Sequence, residues 1–174
     1  MLIGQIFKAG LLIILFFCAL SDVRTNRIPN RLTAEGLILA FLYQIMQYGW
    51  DAAALSLFPA AICVLAMLPL TMLRMFGAGD IKLLSVVVVS AGMEGAFTHL
   101  LYIFLTGAAM SLYKMIRYRN LRRRLCYLKT YLMTAAVTGE AGIYDTESRN
   151  KEILLPFAVP VLAGTVITAA AQIL

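Results

Sequence analysis

The stretch MFGAGDIKLL (Met75–Leu84) lies between two strongly apolar runs and sets two glycines directly before an aspartate. How this break is read decides the fold. If the flanking runs are membrane helices, the break is a short connection, and it puts a carboxylate at the mouth of the second helix. The composition demands lipid: 61% of the 174 residues are hydrophobic, only 14% are charged, and mean hydropathy is +0.85. A soluble domain carries roughly 25% charged residues. No polar stretch is long enough to bury a core of its own, so residues 1–174 read as one all-α integral membrane domain.

A membrane-crossing helix needs about 20 mostly apolar residues. Working outward from the break, six segments approach this: 3–21, 33–49, 52–75, 81–93, 97–116 and 153–173. The fourth is short and needs a thinned bilayer or an extension toward Glu94. Pro59 and Pro69 are expected to kink the third, and Tyr43, Tyr48 and Trp50 to form an interfacial belt. Of the fifteen basic residues, all but Lys8 fall in or beside three alternate connections: 24–31, 74–82 and 114–151. The intervening connections, QYGWD and SAGMEG, carry only the acids Asp51 and Glu94. The positive-inside rule then orients the chain with three basic connections in the cytoplasm and both termini outside.

The cytoplasmic segment 114–152 is the longest polar one. Leu121, Leu125, Leu128 and Leu132 recur at helical spacing among Arg119, Arg122, Arg123, Arg124 and Lys129. This basic amphipathic stretch suits anionic lipid at the inner leaflet, at about 1 kcal/mol per basic residue. A membrane-adjacent basic cluster needs no nucleic acid to explain it, and none is expected.

On this topology Asp22 closes the first helix and Asp80 opens the fourth, both on the cytoplasmic side. Two carboxylates within hydrogen-bond reach share one proton, because both cannot easily ionise. The ionised one can take a proton from water while the protonated one polarises a carbonyl, which is peptide hydrolysis without metal or covalent intermediate. Asp22 falls at a helix C-terminus and Asp80 at a helix N-terminus, and this dipole contrast makes Asp80 the first to ionise. Taken singly, Asp80 is a helix cap and Asp22 an interfacial charge; it is the pair that points to chemistry.

Other chemistries find little support. Cys18, Cys63 and Cys126 form no C-x-x-C pair, so neither zinc nor a redox site is expected. His99 is the one histidine, with no H-E-x-x-H and no evident nucleophile, and there is no phosphate-binding glycine loop. No metal and no cofactor is expected. Pro29 ends the preceding segment, Asn30 or Thr33 caps the second helix, and RIPNRLT acts as a turn that places Asp22. Gly77 and Gly79 allow a sharp turn and a close approach beside Asp80. Lys82 faces either the two carboxylates or, as the favoured reading, the headgroups, while Gln44 and Gln47 bond between helices.

These residues resemble the motifs of the type IV prepilin peptidases. SDVRTNRIPNRLT is similar to the family's first motif, an aspartate followed by Ile-Pro-Asn, and FGAGDIKLL to its second, G-x-G-D followed by a lysine. LLPFAVPVLAGT resembles the apolar Pro-Phe segment of the last helix. The resemblance implies an intramembrane aspartic endopeptidase of a prokaryotic cytoplasmic membrane. Such an enzyme removes the basic leader of prepilins and pseudopilins in type IV pilus assembly and protein secretion. Asp22 and Asp80 would be catalytic, and Gly77, Gly79, Pro29, Asn30 and Lys82 would shape the site. The larger members carry a cysteine-bearing cytoplasmic insertion and also N-methylate the product. The first connection here, about ten residues without cysteine, implies no methyltransferase activity and the short form of Flp/Tad-type or archaeal systems. Glu35, or the acids Glu140, Asp145 and Glu147, would meet the basic leader. Two rivals are a presenilin-like G-x-G-D protease of other membrane substrates and a small cation transporter using the same carboxylates.

Overall fold

The computed structural model describes residues 2–72, 77–117 and 156–171. Five helices follow in order: α1 Leu2–Thr25, α2 Asn30–Tyr48, α3 Trp50–Met72, α4 Ala78–Arg117 and α5 Ala158–Ala171. No strand occurs among the described residues. Three of these helices hold stretches long and apolar enough to cross a membrane: Gly4–Thr25, Trp50–Met72 and Ala78–Lys114. α5 is apolar but short, and α2 is not among the three. α2 dilutes its apolar content with Arg31, Glu35, Gln44 and Gln47.

The largest departure from expectation is in α4. The sequence suggests two helices joined by a polar loop at SAGMEG. Helix instead continues on both sides of a single residue, Gly92, at φ 70°, ψ −175°. A left-handed φ is strained for residues with a Cβ, so glycine turns the chain here at least cost. Beside the break Gln44 of α2 supplies donors: its Nε2 donates to the carbonyls of Val89 and Ser90, both at 3.0 Å. Gln44 is 2% exposed, so its amide bonds between helices in a buried setting, as expected.

Contacts along the helices fix their directions. Asn30 meets Lys82, Gly36 meets Val86 and Gln44 meets Ser90, so α2 and the first arm of α4 are parallel. Gly107 lies against Pro160 and Gly164 against Ile103, so the second arm runs antiparallel to α5. Gly36 also faces Ile14 and Gly10 faces Leu39, which makes α1 antiparallel to α2. Asp22 meets Ala158 at one end, and Leu11 and Leu12 share a cavity with Thr165 and Ala169 at the other, so α5 is antiparallel to α1. The two arms of α4 therefore form a hairpin.

The first arm is the core of the bundle. Leu83, Leu84 and Val86–Val89 are all buried, as expected of a helix apolar on every side and surrounded by others. α2, α3 and α5 pack against α4, and α1 is held by α2 and α5. α3 continues from Trp50 to Met72 through both Pro59 and Pro69. Tyr43 is buried rather than belt-forming, because α2 turns it toward α1; Tyr48 and Trp50 are exposed.

The seat of α5 is the tightest contact. A Cβ on Gly164 would come within 2.7 Å of Ile103 Cα, backbone that cannot swing aside. On Gly107 it would meet Pro160 at an ordinary 3.7 Å. Gly164→Ala should therefore destabilise the protein by about 1–3 kcal/mol through overpacking. Gly107→Ala should be close to neutral, and thermal unfolding of the two variants in the same detergent reads the difference.

Candidate active site

The first aspartate sits on a tightly closed helix end. α1 runs to Thr25 and stops at Asn26, which takes a left-handed φ of 50° and donates its N–H to Asp22 O at 2.8 Å. Asparagine tolerates this conformation and commonly ends helices in it. Ser21 Oγ donates to Arg27 O at 3.1 Å and Thr25 Oγ1 to Ser21 O at 2.8 Å, which fixes how the chain leaves the helix. Only residues 26–29 separate α1 from α2, fewer than the ten expected, because both helices extend further into the polar stretch.

α2 starts without a side-chain cap. Pro29 occupies the cap position at φ −64°, ψ 129°, and neither Asn30 nor Thr33 caps it. Thr33 Oγ1 donates to Asn30 O at 3.0 Å. Asn30 serves another partner: its Oδ1 accepts from Lys82 Nζ at 2.9 Å. Lys82 is exposed, but its ammonium is tied to the turn rather than left to the headgroups alone.

The second aspartate is the third residue of α4. Its Oδ2 accepts the Gly77 N–H at 3.0 Å, while its own N–H donates to Gly77 O at 3.0 Å. This is the acidic half of a capping box, and it satisfies an N–H that the helix leaves orphaned. Gly77 and Gly79 are not at positive φ, so a left-handed turn is not what they supply. Gly79 supplies closeness: a Cβ there would sit 3.3 Å from Ile28 Cβ. The start of α4 thus lies on the Ile28–Asn30 turn, held by the Gly79–Ile28 contact and the Lys82–Asn30 bond.

Asp22 is 6% exposed, and its Oδ2 accepts the N–H of Ala158, the first residue of α5, at 3.0 Å. A carboxylate at a helix N-terminus meets unpaired donors and the positive end of the dipole. Both aspartates therefore stand at a helix N-terminus, Asp22 at that of α5 and Asp80 at its own. Asp22 also lies in the last turn of α1, as expected, so at this carboxylate the dipole of α5 opposes that of α1. Nothing in the sequence around Pro156 and Phe157 announced that α5 would reach back to Asp22.

Asp22 and Asp80 share one end of the bundle: Asp22 lies in the last turn of α1, and Gly79, beside Asp80, packs on Ile28 of the turn that follows. The helices that carry them are bridged by α2 and α5, each of which packs against both. Each carboxylate gives Oδ2 to a backbone N–H, leaving Oδ1 for another partner. Arg24, Arg27 and Arg31 lie at this end, with Lys114 and Arg117 where α4 returns to it. His99 is buried and distant, with Nδ1 bonded to Gly95 O at 3.0 Å. Cys18 and Cys63 are buried free thiols. Among the described residues no three of His, Cys, Asp and Glu converge as a metal-ligand set. Most of 114–152, including Cys126, Glu140, Asp145 and Glu147, lies outside the described residues, as do the first residues of LLPFAVP. Glu35 is exposed on α2.

The family model for the type IV leader peptidase family matches residues 9–112, which contain both aspartates and both glycines. No curated protein and no solved structure matches the chain.

The turn and the second motif should behave as one unit. Asn30→Ala, Lys82→Met and the double substitution should lower thermal stability by the same amount, because each removes the same bond. Additive losses in that double-mutant cycle would show the two side chains to be independent.

Proposed function

The chain belongs to the type IV leader peptidase family, and from that membership we propose that it is an intramembrane aspartic endopeptidase that removes the basic leader of prepilins or pseudopilins. Asp22 and Asp80 are its catalytic pair. The observation that carries this reading is that the two carboxylates lie at one end of the bundle, each anchored through Oδ2 by one backbone N–H. An anchored carboxylate has a set orientation, and its Oδ1 is left to face water and substrate. The pair shares one proton, because two close carboxylates do not both ionise readily.

The ionised carboxylate takes a proton from water as the water oxygen bonds to the scissile carbonyl carbon. The protonated carboxyl donates to the carbonyl oxygen. The resulting tetrahedral diol collapses as the C–N bond breaks. The newly protonated carboxyl gives its proton to the departing amine nitrogen while a diol hydroxyl gives its proton to the other carboxylate, so the pair again holds one proton. Gly77 contributes the N–H that orients Asp80. Pro29, Asn30, Gly79 and Lys82 are positioning residues that hold the second motif against the first. No metal and no cofactor takes part, and with four residues between α1 and α2 a methyltransferase insertion has no place there.

The membrane placement follows the charge pattern. We read the bundle as six crossings, counting each arm of α4 separately, with both termini outside and the Asp22–Asp80 end in the cytoplasm of a prokaryote. Arg24, Arg27, Arg31, Lys82, Lys114 and Arg117 gather at that end, while Asp51 and Glu94 lie at connections to the other. Anionic lipid beneath the basic 114–152 segment screens the approach of a basic leader.

Asp22→Asn and Asp80→Asn should each lower leader removal from a co-expressed prepilin by at least about a hundredfold. Both variants should remain in the membrane. Immunoblotting for the shift from precursor to mature pilin reads the outcome, and normal processing by either variant would remove the pair from the mechanism. Treatment of the purified enzyme with a chelator should leave cleavage unchanged.

A further inference from the structure

At the end of the bundle away from the aspartates, α1, α2, α4 and α5 line a half-open cavity of about 90 Å³. Lys8 lies on α1 fourteen residues before Asp22, about 21 Å along the helix. Of the described basic residues it alone lies at this end, and it shares the cavity with His99, the one histidine of the chain. Tyr43, Tyr48, Ser90 and Thr165 add polar groups to the lining, and Leu11, Leu15, Val86 and Val87 add apolar ones. No lining residue is acidic. The leader-peptidase reading uses none of these groups.

Lys8 is exposed on α1 where it lines this cavity, and an ammonium within a membrane-crossing helix pairs with an anionic group or reaches toward the headgroups. Ser90 Oγ donates to Val87 O at 2.8 Å and Thr165 Oγ1 to Val161 O at 2.7 Å, so both hydroxyls have spent their hydrogens on their own helices. Tyr43 and Tyr48 hydrogen-bond each other, so the donors left for a ligand are the Lys8 ammonium and the one tyrosine hydrogen not used in that pair. A carbonyl only accepts, so His99 Nδ1 donates to Gly95 O, and Nε2 is the nitrogen available to a ligand. The cavity exceeds the roughly 10–15 Å³ that one water needs several-fold. It admits a headgroup-sized anion, not a whole lipid.

We propose that this cavity is a phosphate site, occupied by the headgroup of an anionic phospholipid. Lys8 pairs with a phosphate oxygen. His99 takes a proton from water onto Nε2 and donates it as a hydrogen bond to a second oxygen. The acyl chains leave along the apolar residues of the lining. The other titratable groups in the lining are the hydroxyls of Tyr43 and Tyr48. Free inorganic phosphate offers the same chemistry without the chains, and the test separates the two sources.

A single histidine makes the test direct. Protein labelled with ¹⁵N-histidine, purified through a histidine-free tag into neutral detergent, gives one imidazole signal. Titration with phosphatidylglycerol should move that signal saturably toward its imidazolium position, and diacylglycerol should not move it. Saturation by inorganic phosphate but not by phosphatidylglycerol would keep the phosphate site and assign it the free ion. Lys8→Gln should weaken the response at least about tenfold, the loss of one charge-assisted hydrogen bond. Silence of the wild-type signal to both phosphate sources, an equal response to diacylglycerol, or an unchanged midpoint in Lys8→Gln would overturn the proposal. The wild-type titration decides it even if Lys8→Gln fails to fold.

Discussion

The start of α4 rests on the turn that follows α1, and the rest of the site depends on that docking. Gly79 lets Ile28 come close, and Lys82 bonds Asn30 across the same contact. Neither is strong by itself: one is van der Waals contact at a missing Cβ, the other a single exposed hydrogen bond. Together they bring a segment from before residue 30 against one from after residue 77. Asp22 and Asp80 then come to one end of the bundle, although α1 and α4 are joined mainly through α2 and α5.

A second constraint holds the first aspartate. Asp22 is buried, and its bond to Ala158 N spans 136 positions of chain. α5 can reach this position only because Gly164 lets it approach Ile103 so closely. The hairpin in α4 provides that surface, and the hairpin depends on Gly92 and the Gln44 amide. Placement of Asp22 is thus a consequence of packing along the whole of α4, while the orientation of the Asp80 carboxylate is almost local, set by its own backbone and Gly77.

Much of this was legible in the sequence. Apolar composition points to helices in lipid, three of which meet the length and hydropathy of a crossing. The glycine motif with its aspartate, and the aspartate with Ile-Pro-Asn, identify residues that do come to one end of the bundle. Gln44 was readable as an interhelical bond because an amide in an apolar run must find a partner. What the sequence hid depends on partners far along the chain. Asn30 looked like a cap until Lys82 claimed its oxygen. The six-residue loop at SAGMEG shrank to Gly92, because α2 supplied the donor that a helix end otherwise takes from water. Tyr43 looked like a belt residue, since periodicity cannot say which face of α2 meets α1. The bond from α5 to Asp22 left no local mark.

The claim that the two motifs form one site is tested most directly by cross-linking in the intact membrane protein with its own cysteines replaced. An Asp22→Cys, Asp80→Cys protein treated with a short thiol-to-thiol cross-linker should form an intramolecular link. An Asp22→Cys, Asp51→Cys protein should not, because residue 51 lies in the first turn of α3 at the other end of the bundle. An Asp22→Cys, Ala158→Cys protein reports that the fold is intact. Linkage of 22 to 158 without linkage of 22 to 80 would contradict a shared site.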